Sequence, residues 1–90
     1  MGYLFFYKNK NLGVNKYTRN TVFLMKVGVR INGIRKKQNI SQAQLAFEAG
    51  IPINQIGRIE RGEINTSLST IYYIAKALNV NAFELLIIQE

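Results

Sequence analysis

The chain has no cysteine, no histidine, no aspartate and no tryptophan, and its only proline is Pro52. Without cysteine there is no disulfide framework and no thiolate metal site. Without histidine and aspartate, the commonest general bases, most nucleophilic dyads and nearly every transition-metal site are missing too. Glutamate, lysine, tyrosine and serine remain, but no pair of them falls into a recognisable catalytic arrangement. The sequence therefore points away from an enzyme and calls for no cofactor and no metal. No run of about 18 apolar residues occurs, so no membrane-spanning helix is expected. The aromatic stretch Tyr3–Tyr7 is too short for the apolar region of a signal peptide, and no small-residue cleavage site follows it. These absences set the expectation of a cytoplasmic protein, and the lack of cysteine suits a reducing compartment.

What is present is a small core and an uneven charge. Ninety residues, 48% of them apolar, suffice for one compact domain with short loops. The net charge is +7, yet all the acids lie from Glu48 onward while most of the lysines and arginines come before it. A polyanionic partner is the natural inference, because each Lys or Arg that reaches a phosphate releases condensed counterions. A solvated basic surface is the plainer alternative.

Residues 1–25 differ from the rest. Turn signals stand at Asn9–Gly13 and Arg19-Asn20, and Tyr3–Tyr7 and Thr21–Met25 have β-like composition. The expectation is an irregular or β-hairpin arm. A second reading starts the natural protein at Met25, leaving the preceding residues outside it. From Lys26 the pattern turns helical, and residues 26–90 read as one all-α domain of five helices. Val27, Ile31 and Ile34 form the stripe of a first helix that ends near Asn39. Ser41 and Gln44 have the spacing of a capping box over a short helix, Gln42–Ala49, that stops at Gly50. Pro52 suits the first position of a third helix, about Ile53–Arg61, before Gly62. Thr66 or Ser67 caps a fourth, with Leu68, Ile71, Ile74, Ala75 and Leu78 as its buried stripe. A second capping box at Asn81–Glu84 opens a last helix through about Ile88.

Two short helices joined by Gly50-Ile51-Pro52 are a candidate helix-turn-helix. The segment from Ile34-Arg35 through Ile40–Ala46, Ala49–Ile51 and Gln55–Gly62, continued by Asn65–Leu68 and Ile74–Val80, resembles the lambda-repressor-like, or XRE, helix-turn-helix family. The resemblance covers roughly residues 27–88. It implies a five-helix DNA-binding bundle and assigns roles by position. Ile53, Asn54, Gln55 and Arg58 match positions that face base edges. Asn suits adenine N6/N7, Arg suits guanine O6/N7 and Ile suits a thymine methyl. Gln42 matches a position that meets a phosphate. Arg61, Thr66 and Ser67 sit around the start of the fourth helix, where amides and hydroxyls can hold another. Lys37 belongs to a basic run that either reaches the DNA backbone or is simply a solvated face. Glu60 matches a glutamate that pairs with an arginine of the first helix, here Arg35, so its expected role is structural. Pro52 and Ile53 stand where relatives carry polar residues.

The apolar C-terminal run offers Phe83, Leu86 and Ile87 as a two-fold interface. The reading is a transcriptional regulator, a repressor or autoregulator, that binds double-stranded DNA as a homodimer on a pseudo-palindromic operator. Three other classes stand beside it. One is an antitoxin or other module that uses the fold mainly to bind a protein such as a toxin or polymerase. Another is a membrane-surface peptide, resting only on Tyr3–Tyr7 beside basic residues. An enzyme is the most remote.

Overall fold

Asn20 opens the first helix. Its side-chain oxygen accepts from the Phe23 amide at 2.9 Å, satisfying one of the donors that every helix start leaves without a partner. In the computed structural model, which describes residues 19–88, helix α1 then spans Thr21–Lys37. The extended reading of Thr21–Met25 is thereby corrected, and the helix begins well before Lys26. Composition misled there, because Phe23 continues the four-residue spacing of Val27 and Ile31 and joins them against the core. The expectations for Tyr3–Tyr7 and Asn9–Gly13 lie outside the described residues.

The ends of α1 and of the three helices that follow are set by residues that the chain supplies locally. Asn39 takes a left-handed φ of 60° after α1, and the Ile40 amide returns to the Arg35 carbonyl at 3.4 Å. Ser41 caps α2, Gln42–Ala49, by accepting from the Gln44 amide at 3.0 Å. Only half of that expected capping box forms, because the Gln44 side chain reaches Glu48 at 3.2 Å instead of turning back. Gly50 stops α2 at φ 72°. Pro52 stands just outside α3, Ile53–Glu60, and makes no side-chain cap. Between Thr66 and Ser67, the cap of α4, Leu68–Leu78, is Ser67, which accepts from the Thr70 amide at 3.1 Å. Helix α5 is shorter than expected, Ala82–Leu86, and Asn81 gives it no side-chain cap, so the second capping box does not form.

Each helix sends at least one fully buried side chain to a common centre: Ile31, Leu45, Ile56, Ile74 with Leu78, and Leu85. Burial of each contributes about 1.5–3 kcal/mol. Leu68, expected in the buried stripe of α4, is instead 77% exposed. Helical side chains lean toward the N-terminus, so at the first position of α4 this one overhangs the edge of the core. Helix α1 crosses the end of α3 at Gly28, where an added Cβ would lie 2.4 Å from the Glu60 carbonyl oxygen. Among the described residues there is no strand, no cluster of metal-ligating side chains, and no helix long and apolar enough to cross a membrane.

Candidate nucleic-acid interface

Helix α3 has two faces with different work. Ile56, Gly57, Ile59 and Glu60 are buried, whereas Ile53, Asn54 and Arg58 face solvent and Gln55 is half-buried. Ile53 stands 51% exposed. The outward residues thus form a continuous polar and apolar strip along the first two turns. Pro52 gives that end of the helix no side-chain hydrogen bond.

The inward face is tied down by a charged network. Arg35 Nε donates to Glu60 Oε2 at 2.7 Å and Arg35 Nη2 donates to Oε1 at 3.1 Å. Both side chains are nearly removed from water, at 9% and 3% exposure. Asn32 Nδ2 and Gln42 Nε2 donate to the same Oε1 at 2.8 and 2.9 Å, and Arg35 Nη1 donates to the Ile40 carbonyl at 2.8 Å. One carboxylate therefore joins α1, α2 and α3. Four donated bonds fill most of its acceptor capacity, which is the condition for a buried charge to persist.

Burial is the largest single influence on the Glu60 carboxyl and pushes it up. The hydrogen bonds from Arg35, Asn32 and Gln42, with the Arg35 charge, outweigh that effect and hold it below the ordinary carboxylate value. A carboxyl depressed in the folded state stabilises fully above its unfolded value, about 4.3, and loses that contribution as pH falls through the folded value. The thermal midpoint of the wild-type chain should therefore drop more steeply below about pH 4.3 than that of Glu60→Gln. Parallel midpoints for the two proteins across this window would contradict the assignment.

The remaining candidates are scattered around α3. Arg61, just past its end, is exposed, and its Nε donates to Glu63 Oε2 at 2.6 Å. Ser67 is exposed and its hydroxyl donates to Thr70 Oγ1 at 3.0 Å. Lys37 is exposed in the last turn of α1. Thr66 is half-buried, and its hydroxyl oxygen is buried without a hydrogen-bond partner. Of the C-terminal candidates, Phe83 and Ile87 are 60% and 50% exposed, whereas Leu86 packs against the core. Ile87 lies just beyond α5.

Two polar residues of this region were not singled out by the sequence. Asn32 precedes Arg35 by three positions, the spacing that places both on one helical face. Glu63 follows Gly62, whose φ of 72° turns the chain back. Both signals were legible, and neither carries a motif.

The helix-turn-helix family model HTH_3 matches residues 31–85. The chain belongs to that family. Its members are DNA-binding transcription regulators of the XRE type and not enzymes. The chain is similar to the immunity repressor protein of Bacillus phage phi105, at 43% identity over 56 residues, which is 62% of this chain and 39% of the repressor. It thus spans well under half of that relative's length. It is also similar to the control protein C.BamHI of Bacillus amyloliquefaciens, at 45% identity over 60 residues, covering 66% of this chain and 74% of that protein. Among solved structures, the restriction-modification controller protein C.AhdI from Aeromonas hydrophila superposes with a TM-score of 0.68. That match has 39% identity and covers 69% of this chain and 94% of the controller.

Proposed function

We propose that this family member is a sequence-specific repressor or autoregulator that docks α3 in the major groove of double-stranded DNA. The observation that carries the proposal is the division of α3 itself. Its outward strip of Ile53, Asn54, Gln55 and Arg58 bears no core load, while its inward strip is fixed by the Arg35–Glu60 network. In this reading Arg58 takes guanine O6/N7, Asn54 takes adenine N6/N7, and Ile53 packs on a thymine methyl. Gln55 reaches a base edge or phosphate at the rim.

Phosphates are held by Gln42, Arg61, Ser67 and Lys37. Gln42 starts α2, so its main-chain amide lies where helices favour anions, and its side-chain amide keeps one hydrogen beyond the bond to Glu60. A homodimer built on Phe83, Leu86 and Ile87 sets two copies of α3 one helical turn of DNA apart, about 34–36 Å, on an inverted repeat. Two relatives bearing the names of a controller of restriction-modification and a phage immunity repressor support this biology. A cytoplasmic location follows from it.

Selection of bound duplexes from a random pool tests all of this together. The expected product is an inverted repeat bound roughly 10³–10⁷ times more tightly than random DNA at the same salt. Arg58→Ala and Asn54→Ala should each erase preference at one base per half-site, at about 1–3 kcal/mol. Equal affinity for selected and random DNA would refute sequence-specific regulation, and unchanged preferences in both variants would refute the assigned contacts.

A further inference from the structure

The turn that ends α3 brings an acid onto its two candidate DNA-binding arginines. The Gly62 amide bonds the Ile59 carbonyl at 3.0 Å and the Glu63 amide bonds the Arg58 carbonyl at 2.9 Å, the paired bonds of a glycine-terminated helix end. In that motif the second residue past the helix cap packs on the third residue back from the end, usually through an apolar contact. Here those two residues are Glu63 and Arg58. The Glu63 carboxylate lies 3.7 Å from Arg58 Nε. It also accepts from Arg61 Nε at 2.6 Å and Arg61 Nη2 at 3.3 Å. All three side chains are about half exposed.

We propose that Glu63 is a positioning residue that acts as an internal stand-in for the DNA acceptors these arginines meet, a phosphate at Arg61 and a guanine edge at Arg58, until a duplex displaces it. The inference rests on the reading that α3 and its flank bind DNA. Glu63 offers the guanidiniums the same partner that a phosphate offers, two acceptor oxygens on an anion. Exposed pairs of this kind are weak. The clamp therefore restrains the arginines and lowers affinity without blocking docking. The carboxyl is held below its ordinary value, chiefly by the Arg61 hydrogen bond, with the Arg61 and Arg58 charges adding to it. It thus stays ionised at neutral pH. A chain of net charge +7 gains from such a restraint, because cations freely available to any phosphate bind every sequence alike.

The test is a double-mutant cycle read by fluorescence anisotropy on a random duplex over a range of salt. Glu63→Gln keeps the size and backbone of the turn and should tighten binding roughly three- to tenfold, with a steeper salt dependence. In an Arg61→Ala background the same change should have a clearly smaller effect, because the clamp has lost its main partner. In the free protein, Glu63→Gln should also move the Nε–H resonances of Arg61 and Arg58. Three results overturn the proposal: no tightening, an equal gain in both backgrounds (a bulk charge effect), or unmoved arginine resonances. If the wild-type chain binds no duplex at any salt, the DNA-binding reading falls and this role with it. Ordinary wild-type binding with an unchanged Glu63→Gln removes the clamp alone.

Discussion

Glu60→Ala should lower the free energy of unfolding by about 3–5 kcal/mol, and Arg35→Ala by a similar amount. Either change strands a buried charge. Without Glu60, the Arg35 guanidinium keeps only the Ile40 carbonyl, and the Asn32 and Gln42 amides lose the oxygen they share. Small domains have only about 5–15 kcal/mol in all, so the single variants should sit near the edge of folding. Urea titration followed by circular dichroism measures the loss. The double replacement Arg35→Met with Glu60→Leu removes both charges and should recover much of it. Two losses that simply add would show that the residues act independently. A loss under about 1 kcal/mol in either single variant would show that the pair behaves like an exposed one.

Gly28→Ala should destabilise the domain by about 3 kcal/mol, against what helix propensity alone says. In a solvent-facing helix interior, replacing glycine by alanine gains up to about 1 kcal/mol. At Gly28 the new Cβ would lie 2.4 Å from the Glu60 carbonyl oxygen and 2.5 Å from that of Ile59. Those atoms are main chain and have no rotamer through which to escape, so α1 and the end of α3 must separate. Gly33, in the same helix, has nothing within 4 Å of its would-be Cβ. Gly33→Ala should therefore stabilise, by up to about 1 kcal/mol. Opposite signs at two glycines of one helix, read as shifts of the urea midpoint, constitute the expected result. Stabilisation at both positions would mean that the α1–α3 contact is looser than the structure gives.

The same contrast explains how much of the molecule could be read from its residues. Helices α2, α3 and α4 were legible because each carries its own punctuation: Ser41 and Gly50, Gly62, and Ser67. The start of α1 was not, because Thr21, Val22 and Phe23 favour strands by composition while Asn20 caps a helix. Local preference lost there to burial of the stripe that Phe23 extends. Leu68 leaves the buried stripe for a related reason, since periodicity gives a face but not where the core ends. Within the site, the outward residues of α3 and the partners Arg35 and Glu60 were named through family resemblance, because twenty-odd intervening residues hide that pairing from any spacing rule. Asn32 and Glu63 escaped because each matters only through a third residue. Asn32 acts through Glu60, and Glu63 acts through the turn at Gly62.

In the proposed docking, the two faces of α3 keep stability and recognition on separate positions of one eight-residue helix. Exposed sites away from caps and networks generally tolerate substitution within about 0.5 kcal/mol, and Ile53 and Asn54 are such sites with respect to the core. If α3 docks on DNA as proposed, changing them would alter which bases are met without loosening what holds the helix. Under that proposal, operator preference would drift one residue at a time, along a path on which every intermediate still folds. The scaffold is in this sense retargetable, and its buried carboxylate is what makes it so.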